Sequence, residues 1–205
     1  MAGHPSPLRE SDVDADPVRQ FAEWFSDAAA AGFPAPEAAA LATATREGAP
    51  SARMVLVKRA DERGFVFYSN YESRKGGELV ANPRAALLFH WSELGRQVRV
   101  EGAVERTTPQ ESADYVRSRA RGSQLSALAS PQSRPVESRE ALERRVAELR
   151  ERYADRELPL PGTWGGFRLT PQTVEFWQGR DDRLHDRLLY TRQPDGSWQI
   201  RRLAP

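Results

Sequence analysis

Three groups of side chains in this sequence have types and spacing that could do chemistry, and each contains at least one cation. The first joins Arg53-Met-Val-Leu-Val-Lys58 to Ser73-Arg-Lys-Gly-Gly77. An Arg and a Lys bracket an apolar run, and a buried charge is costly unless it is paired. Emergence of both ends into solvent explains that run equally well. Arg74 and Lys75 stand at a helix start, where the dipole opposes cations and the free amides favour an anion. A bound phosphate resolves the conflict. The second group, Tyr115, Arg119 and Ser123, is spaced by four and shares one face if a helix runs on through Gly122. A phenol, a guanidinium and a hydroxyl all donate hydrogen bonds and suit a phosphate, although an ordinary exposed helix face has the same pattern. The third group follows Glu175-Phe-Trp-Gln-Gly179. On a strand, Arg183, His185 and Arg187 share one face, with Leu184 and Leu188 opposite. Such a row repels itself unless an anion or an electron-rich ring lies against it. Trp177 could wall a flat ligand or fill the core.

Other chemistries lack their residues. No Gly-x-Gly-x-x-Gly, Walker-type loop or Gly-x-Ser-x-Gly elbow occurs. His4, His90 and His185 are scattered, with no zinc-type pair, and there is no cysteine. The chemistry is therefore best assigned to a bound phosphorylated cofactor, with the protein supplying position and electrostatics. Of the 30 basic residues only two are Lys, Lys58 and Lys75, and both lie in the first group. A net charge of +1 gives no bulk attraction to nucleic acid or membrane. The chain starts without an apolar signal region and has no long apolar window, so a cytoplasmic protein is expected.

The elements that must position these groups can be read from period and punctuation. Of the 205 residues, 1–15 read as a mobile leader and 16–205 as one domain. Asp16-Pro17 opens a helix with Val18, Phe21, Trp24, Phe25 and Ala28 on one face. Strands are expected at 41–45, 51–58, 65–69, 85–91 and 97–106, with a short helix around 73–81. Helices follow at 109–118 and 138–153, then strands at 166–169, 173–178, 183–191 and 198–203. This order predicts a mainly β fold with added α-helices, a small closed or nearly closed barrel.

The stretches Arg53-Met-Val-Leu-Val-Lys58, Phe67-Tyr-Ser-Asn70, Ser73-Arg-Lys75, Arg96-Gln-Val98, Ser130-Pro-Gln-Ser133, Trp164-Gly-Gly-Phe-Arg168, Glu175-Phe-Trp-Gln-Gly179, Arg183-Leu-His-Asp-Arg187 and Arg202-Leu-Ala-Pro205 resemble the pyridoxine/pyridoxamine 5′-phosphate oxidase family. The likeness runs from about residue 16 to the end. It implies an FMN-binding split β-barrel acting as a homodimer with flavin at the subunit interface. It also implies oxidation of pyridoxine or pyridoxamine 5′-phosphate to pyridoxal 5′-phosphate, by hydride transfer from C4′ to flavin N5. O₂ would be the acceptor and H₂O₂ the by-product. By the same resemblance Arg53, Met54, Val55, Leu56, Val57, Lys58, Tyr68, Ser69, Arg74, Lys75, Gln97, Gln132, Ser133, Trp177 and Arg187 would contact FMN. Lys58, Tyr115, Arg119 and Ser123 would clamp the substrate phosphate. Arg183 and His185, with Leu184 between them, would meet the pyridine side and act in catalysis. The family usually has Leu at the position of Val57 and often Thr at that of Ser69. Its N-terminal segment that covers the substrate has no evident counterpart before Asp16.

Overall fold

Eight strands form one antiparallel sheet in the computed structural model, which describes residues 7–205. They are β1 (Ala38–Ala44), β2 (Pro50–Asp61), β3 (Gly64–Asn70), β4 (Arg84–Trp91), β5 (Arg96–Arg106), β6 (Trp164–Gln178), β7 (Asp186–Arg192) and β8 (Trp198–Arg202). Their order is β3-β2-β1-β4-β5-β6-β7-β8, and β3 also pairs with β6. That extra pairing closes the first six strands into a barrel, and β7 and β8 extend from it as a flap. Closure removes the sheet edges that β3 and β6 would otherwise present.

Five α-helices are described: α1 (Pro17–Ala30), α2 (Arg74–Ala81), α3 (Pro109–Ser118), α4 (Arg121–Ala129) and α5 (Arg139–Arg152). Helix α1 starts as expected, with Asp16 accepting from the Val18 amide and Pro17 at the first position. Its Phe21 packs on Phe65 and Phe89 at ring separations of 4.9 and 4.8 Å, and Trp24 packs edge-on against Phe176 at 5.2 Å. Such aromatic pairs join the helix to the barrel interior. None of these helices is long and apolar enough to cross a membrane.

Four expectations are corrected. The strands expected at 166–169 and 173–178 are one continuous β6. Pro171 is accommodated by a register shift against β5 between Glu101 and Gly102. A side chain at Gly102 would collide with the Thr170 carbonyl, so the close approach there requires glycine. Strand β2 is not buried throughout: Met54 and Leu56 point outward and are 65% and 44% exposed. The helix carrying Tyr115 does not run on, because Arg119 is extended between α3 and α4. Finally, Arg183 and His185 precede β7 rather than lying on it.

The segment read as a mobile leader is packed from residue 8 onward. Leu8 is buried, its amide donates to Asp186 at 3.1 Å, and its carbonyl accepts from Arg202 at 2.8 Å. Glu10 pairs with Arg202 at 2.9 Å, and the Asp14 carbonyl accepts from the Tyr190 hydroxyl at 2.7 Å. The remainder of that expectation, residues 1–6, lies outside the described residues.

Candidate functional site

Helix α2 begins where β3 ends, and this junction builds the first cluster. Ser73 caps the helix by accepting from the Gly76 amide. The half-buried Lys75 ammonium reaches back over that cap. It donates to Ser69 Oγ and Gln132 Oε1, both at 3.0 Å, and Ser69 in turn donates to Gln132 at 3.1 Å. Among the described residues no carboxylate pairs with Lys75. Burial, and then the charge of Arg53, push its pKa below the usual lysine value. The cradle is thus a cation held by neutral groups at a helix N-terminus, which suits an incoming phosphate. Next to Gln132, Ser133 adopts a left-handed φ of 70°.

Beneath the cradle lies Glu78, a buried carboxylate that sequence reasoning missed. It accepts from Thr43, from Ser51 at 2.6 Å, from Arg53 at 3.3 Å and from Arg74 at 2.9 Å. Burial alone would raise its pKa, but these hydrogen bonds outweigh it and hold the group at about 2. Arg53 and Arg74 are therefore oriented by one anion. Lys58 is ion-paired with Glu37 at 3.0 Å instead, at the bulge between Val57 and Arg59. Val55 is half-buried against the core and Val57 lies within it, its amide donating to the Glu37 carbonyl at 2.9 Å.

The second cluster is aromatic. Tyr68 on β3 stacks on Tyr115 of α3 at 3.7 Å and 11°, and both rings run parallel to Trp164 at about 6 Å. Helix α3 is seated on β6 by Ser112, whose hydroxyl accepts from the Gly166 amide at 3.2 Å. A Cβ at Gly166 would strike Thr107 and Tyr68, so a glycine is needed for this seat. Arg119 lies in the two-residue break after α3, with its guanidinium 4.7 Å from the Trp164 ring centroid. Its buried Nη1 has no hydrogen-bond partner among the described residues. Ser123 sits in the first turn of α4, not on the face that carries Tyr115.

The third cluster lies across β5, β6 and β7. Gln97 pairs with Trp177, which pairs with Arg187, and these residues line a cleft of about 220 Å³ with Arg99, Glu175 and Pro205. Arg187 and Arg99 both grip the buried Glu175, a second carboxylate missed in sequence. The His185 ring packs 4.6 Å from Trp177. Its Nδ1 accepts from the Arg180 amide at 3.1 Å, so the neutral ring carries its proton on Nε2. Arg183 and Leu184 are exposed on the turn before β7, and Asp182 and Arg183 have φ of 55° and 62°.

The first and third clusters stand at opposite ends of β6. Ser69 pairs with Gly165, the second residue of that strand, and Trp177 is its penultimate residue. At roughly 3.3 Å per residue the twelve intervening steps span about 40 Å of strand contour. Between them the sheet turns outward an apolar surface, with Met54 and Leu56 on β2, Ala38 and Ala40 on β1, and Leu88 on β4.

A family model described as pyridoxamine 5′-phosphate oxidase matches residues 25–153, and a pyridoxine 5′-phosphate oxidase C-terminal dimerisation region matches residues 164–205. A pyridoxine/pyridoxamine 5′-phosphate oxidase of Rubrobacter xylanophilus is 59% identical over 97% of this chain and 91% of its own. One from Trichormus variabilis is 54% identical over 97% of this chain and 92% of its own. Among solved structures, PhzG from Burkholderia lata, in complex with tetrahydrophenazine-1-carboxylic acid, superposes with a TM-score of 0.92 and 34% identity. It covers 99% of this chain and all of its own. An FMN-binding protein of Nostoc punctiforme, related to pyridoxamine 5′-phosphate oxidase, shares the fold at a TM-score of 0.71 and 17% identity, over 94% of this chain and all of its own. With two family models spanning most of its length and full-length relatives above 50% identity, the chain belongs to the pyridoxine/pyridoxamine 5′-phosphate oxidase family.

Proposed function

We propose that the chain oxidises pyridoxamine 5′-phosphate and pyridoxine 5′-phosphate to pyridoxal 5′-phosphate, with FMN as cofactor and O₂ as acceptor. The observation that carries this reading is the Lys75–Ser69–Gln132 cradle, a half-buried cation whose hydrogen bonds, among the described residues, go to neutral groups. It fits the phosphate tail of FMN, and Gln97, Trp177 and Arg187 fit the flat ring system. When bound, FMN supplies the hydride acceptor and the reaction with oxygen.

The remaining roles belong to this chain's side chains. Arg119 and Tyr115 hold the substrate phosphate, with Lys58 and Ser123 assigned to the same clamp. The proton on His185 Nε2 gives the pyridine side a hydrogen-bond donor. Arg183 adds positive charge on the same turn, and the two together orient the ring and favour charge developing on it.

Because the phosphate cradle and the Trp177 cleft lie at opposite ends of β6, one chain cannot offer both to a single flavin. A two-fold dimer closing over the apolar outer face would bring one protomer's cradle to its partner's cleft. We therefore propose a homodimer with FMN at the interface, in keeping with the match to a dimerisation region at 164–205.

PhzG, seen with a ring-shaped acid lacking phosphate, favours a second reading in which this chain takes a comparable substrate. The Arg119 donor awaiting an anion, and the 54–59% identity to vitamer oxidases, favour the first. The test is anaerobic. The purified protein should be yellow, and pyridoxamine 5′-phosphate should bleach its flavin absorption. A colourless protein that refuses FMN, or a flavin bleached only by a tetrahydrophenazine carboxylate, overturns the proposal.

A further inference from the structure

We propose that Trp164 is a positioning residue that sets the phosphate-binding geometry of Arg119 and thereby selects phosphorylated over unphosphorylated substrate. The inference rests on the reading above, in which Arg119 holds the substrate phosphate.

The backbone of Arg119 is held as the C-cap of α3, its amide donating to the Val116 carbonyl at 3.1 Å and its carbonyl accepting from Gln124 at 2.7 Å. That anchors its Cα but leaves the torsions of its long side chain to be fixed by something else. A carboxylate partner could fix it, as Glu78 fixes Arg53 and Arg74 and as Glu175 fixes Arg187. Such a partner would occupy the N–H edge and cancel the charge that an anion needs. No carboxylate pairs with Arg119 among the described residues; its guanidinium lies over the Trp164 ring instead. Stacking engages the flat face of the guanidinium and leaves the edge donors free for bidentate bonds. The buried Nη1, without a partner among the described residues, is such a donor.

Trp164 is itself well held. It is 8% exposed, begins β6 opposite Asn70, and its amide donates to the Pro161 carbonyl at 3.0 Å. Its ring lies within 3° of parallel to Tyr115 and 12° of Tyr68. The same indole therefore fixes the guanidinium of Arg119 beside Tyr115, whose own ring is held by its closer stack on Tyr68. Tyr68 neighbours Ser69 of the phosphate cradle, so this stack also joins the two sites.

The test compares Trp164→Leu, Trp164→Phe, Arg119→Ala and the Trp164→Leu/Arg119→Ala double variant as FMN-loaded enzymes. Trp164→Leu should raise KM for pyridoxamine 5′-phosphate about three- to tenfold, with kcat within about twofold and FMN content unchanged. Turnover of unphosphorylated pyridoxamine should not change, so the preference for the phosphate ester falls by the same factor. Trp164→Phe, which keeps a ring face, should recover part of the loss. In the Arg119→Ala background the Trp164 substitution should add nothing. An unchanged KM in Trp164→Leu, or equal losses with both substrates, overturns the proposal. If Trp164→Leu does not fold, Trp164→Phe decides, by a KM rise present in the parent and absent beside Arg119→Ala. If Arg119→Ala itself leaves KM unchanged, the phosphate-clamp reading fails rather than the role of Trp164 alone.

Discussion

Arg187 holds Glu175 through two parallel contacts, Nε to Oε1 at 2.7 Å and Nη2 to Oε2 at 3.2 Å. Its third nitrogen donates to the Ala204 carbonyl at 2.8 Å, so one guanidinium ties β6, β7 and the C-terminal residues together. The carboxylate is almost fully buried, and removing its partner leaves a charge with fewer donors. Arg187→Ala should therefore cost about 3 kcal/mol of stability and lower FMN content. Arg187→Lys, which cannot make the paired contacts, should recover less than half of either. Thermal unfolding and flavin absorbance per chain measure both effects.

Lys75 can be tested without disturbing a buried pair. Lys75→Ala leaves Ser69 and Gln132 hydrogen-bonded to one another and removes a half-buried cation that has no carboxylate partner among the described residues. Stability should change little, while the Kd for FMN should rise at least about tenfold, equivalent to roughly 1.4 kcal/mol. Flavin fluorescence quenching gives the value. A variant that binds FMN as tightly as the parent would falsify the cradle.

Glu78 links the same cluster to pH. Its pKa is held at about 2 against an ordinary 4.5, so the folded state favours the ionised form. The resulting stabilisation, on the order of 3 kcal/mol, is complete above about pH 4.5 and disappears as the pH falls towards 2. Glu111 has the same low pKa of about 2, through the Thr108 amide first and then Arg63 and Arg168, and it adds to the same acid limb. Urea midpoints measured from pH 6 to pH 2.5 should fall steeply for the parent. In Glu78→Gln they should fall less steeply, from a lower starting value.

Arg183 stands on a turn outside the phosphate cradle and the Trp177 cleft. Arg183→Ala should lower kcat on the order of 10²-fold and leave FMN content intact. Stopped-flow bleaching of the bound flavin by pyridoxamine 5′-phosphate under nitrogen separates this loss from a defect in substrate binding. Equal bleaching rates in variant and parent would remove Arg183 from the chemistry.

The elements were more legible in the sequence than the contacts between them. Asp16-Pro17, the 3.6-residue spacing of Phe21, Trp24 and Ala28, and the alternating strands are local signals, and up to β5 the structure contains these elements close to where they are expected. The turn before β7 was misread because Arg183, His185 and Arg187 alternate as strand residues do. The positive φ of Asp182 and Arg183 is a tertiary choice without a glycine to mark it. Tyr115 and Arg119 do not share a helix face; each lies against Trp164, a ring about 45 residues away in sequence. Glu78 and Glu175 were invisible as organisers of arginines. A carboxylate's partners are set by strand register, and register is closed by pairings across the whole chain.

The distance along β6 between the cradle and the cleft has a genetic consequence. If each catalytic centre takes one half from either protomer, Lys75→Ala damages one contribution and Arg187→Ala the other. Two such defective proteins, unfolded together and allowed to reassemble, would form mixed pairs in which one centre inherits both lesions and the other inherits neither. Random pairing would then give roughly a quarter of all centres the parental affinity for FMN, from two populations in which every centre is weakened.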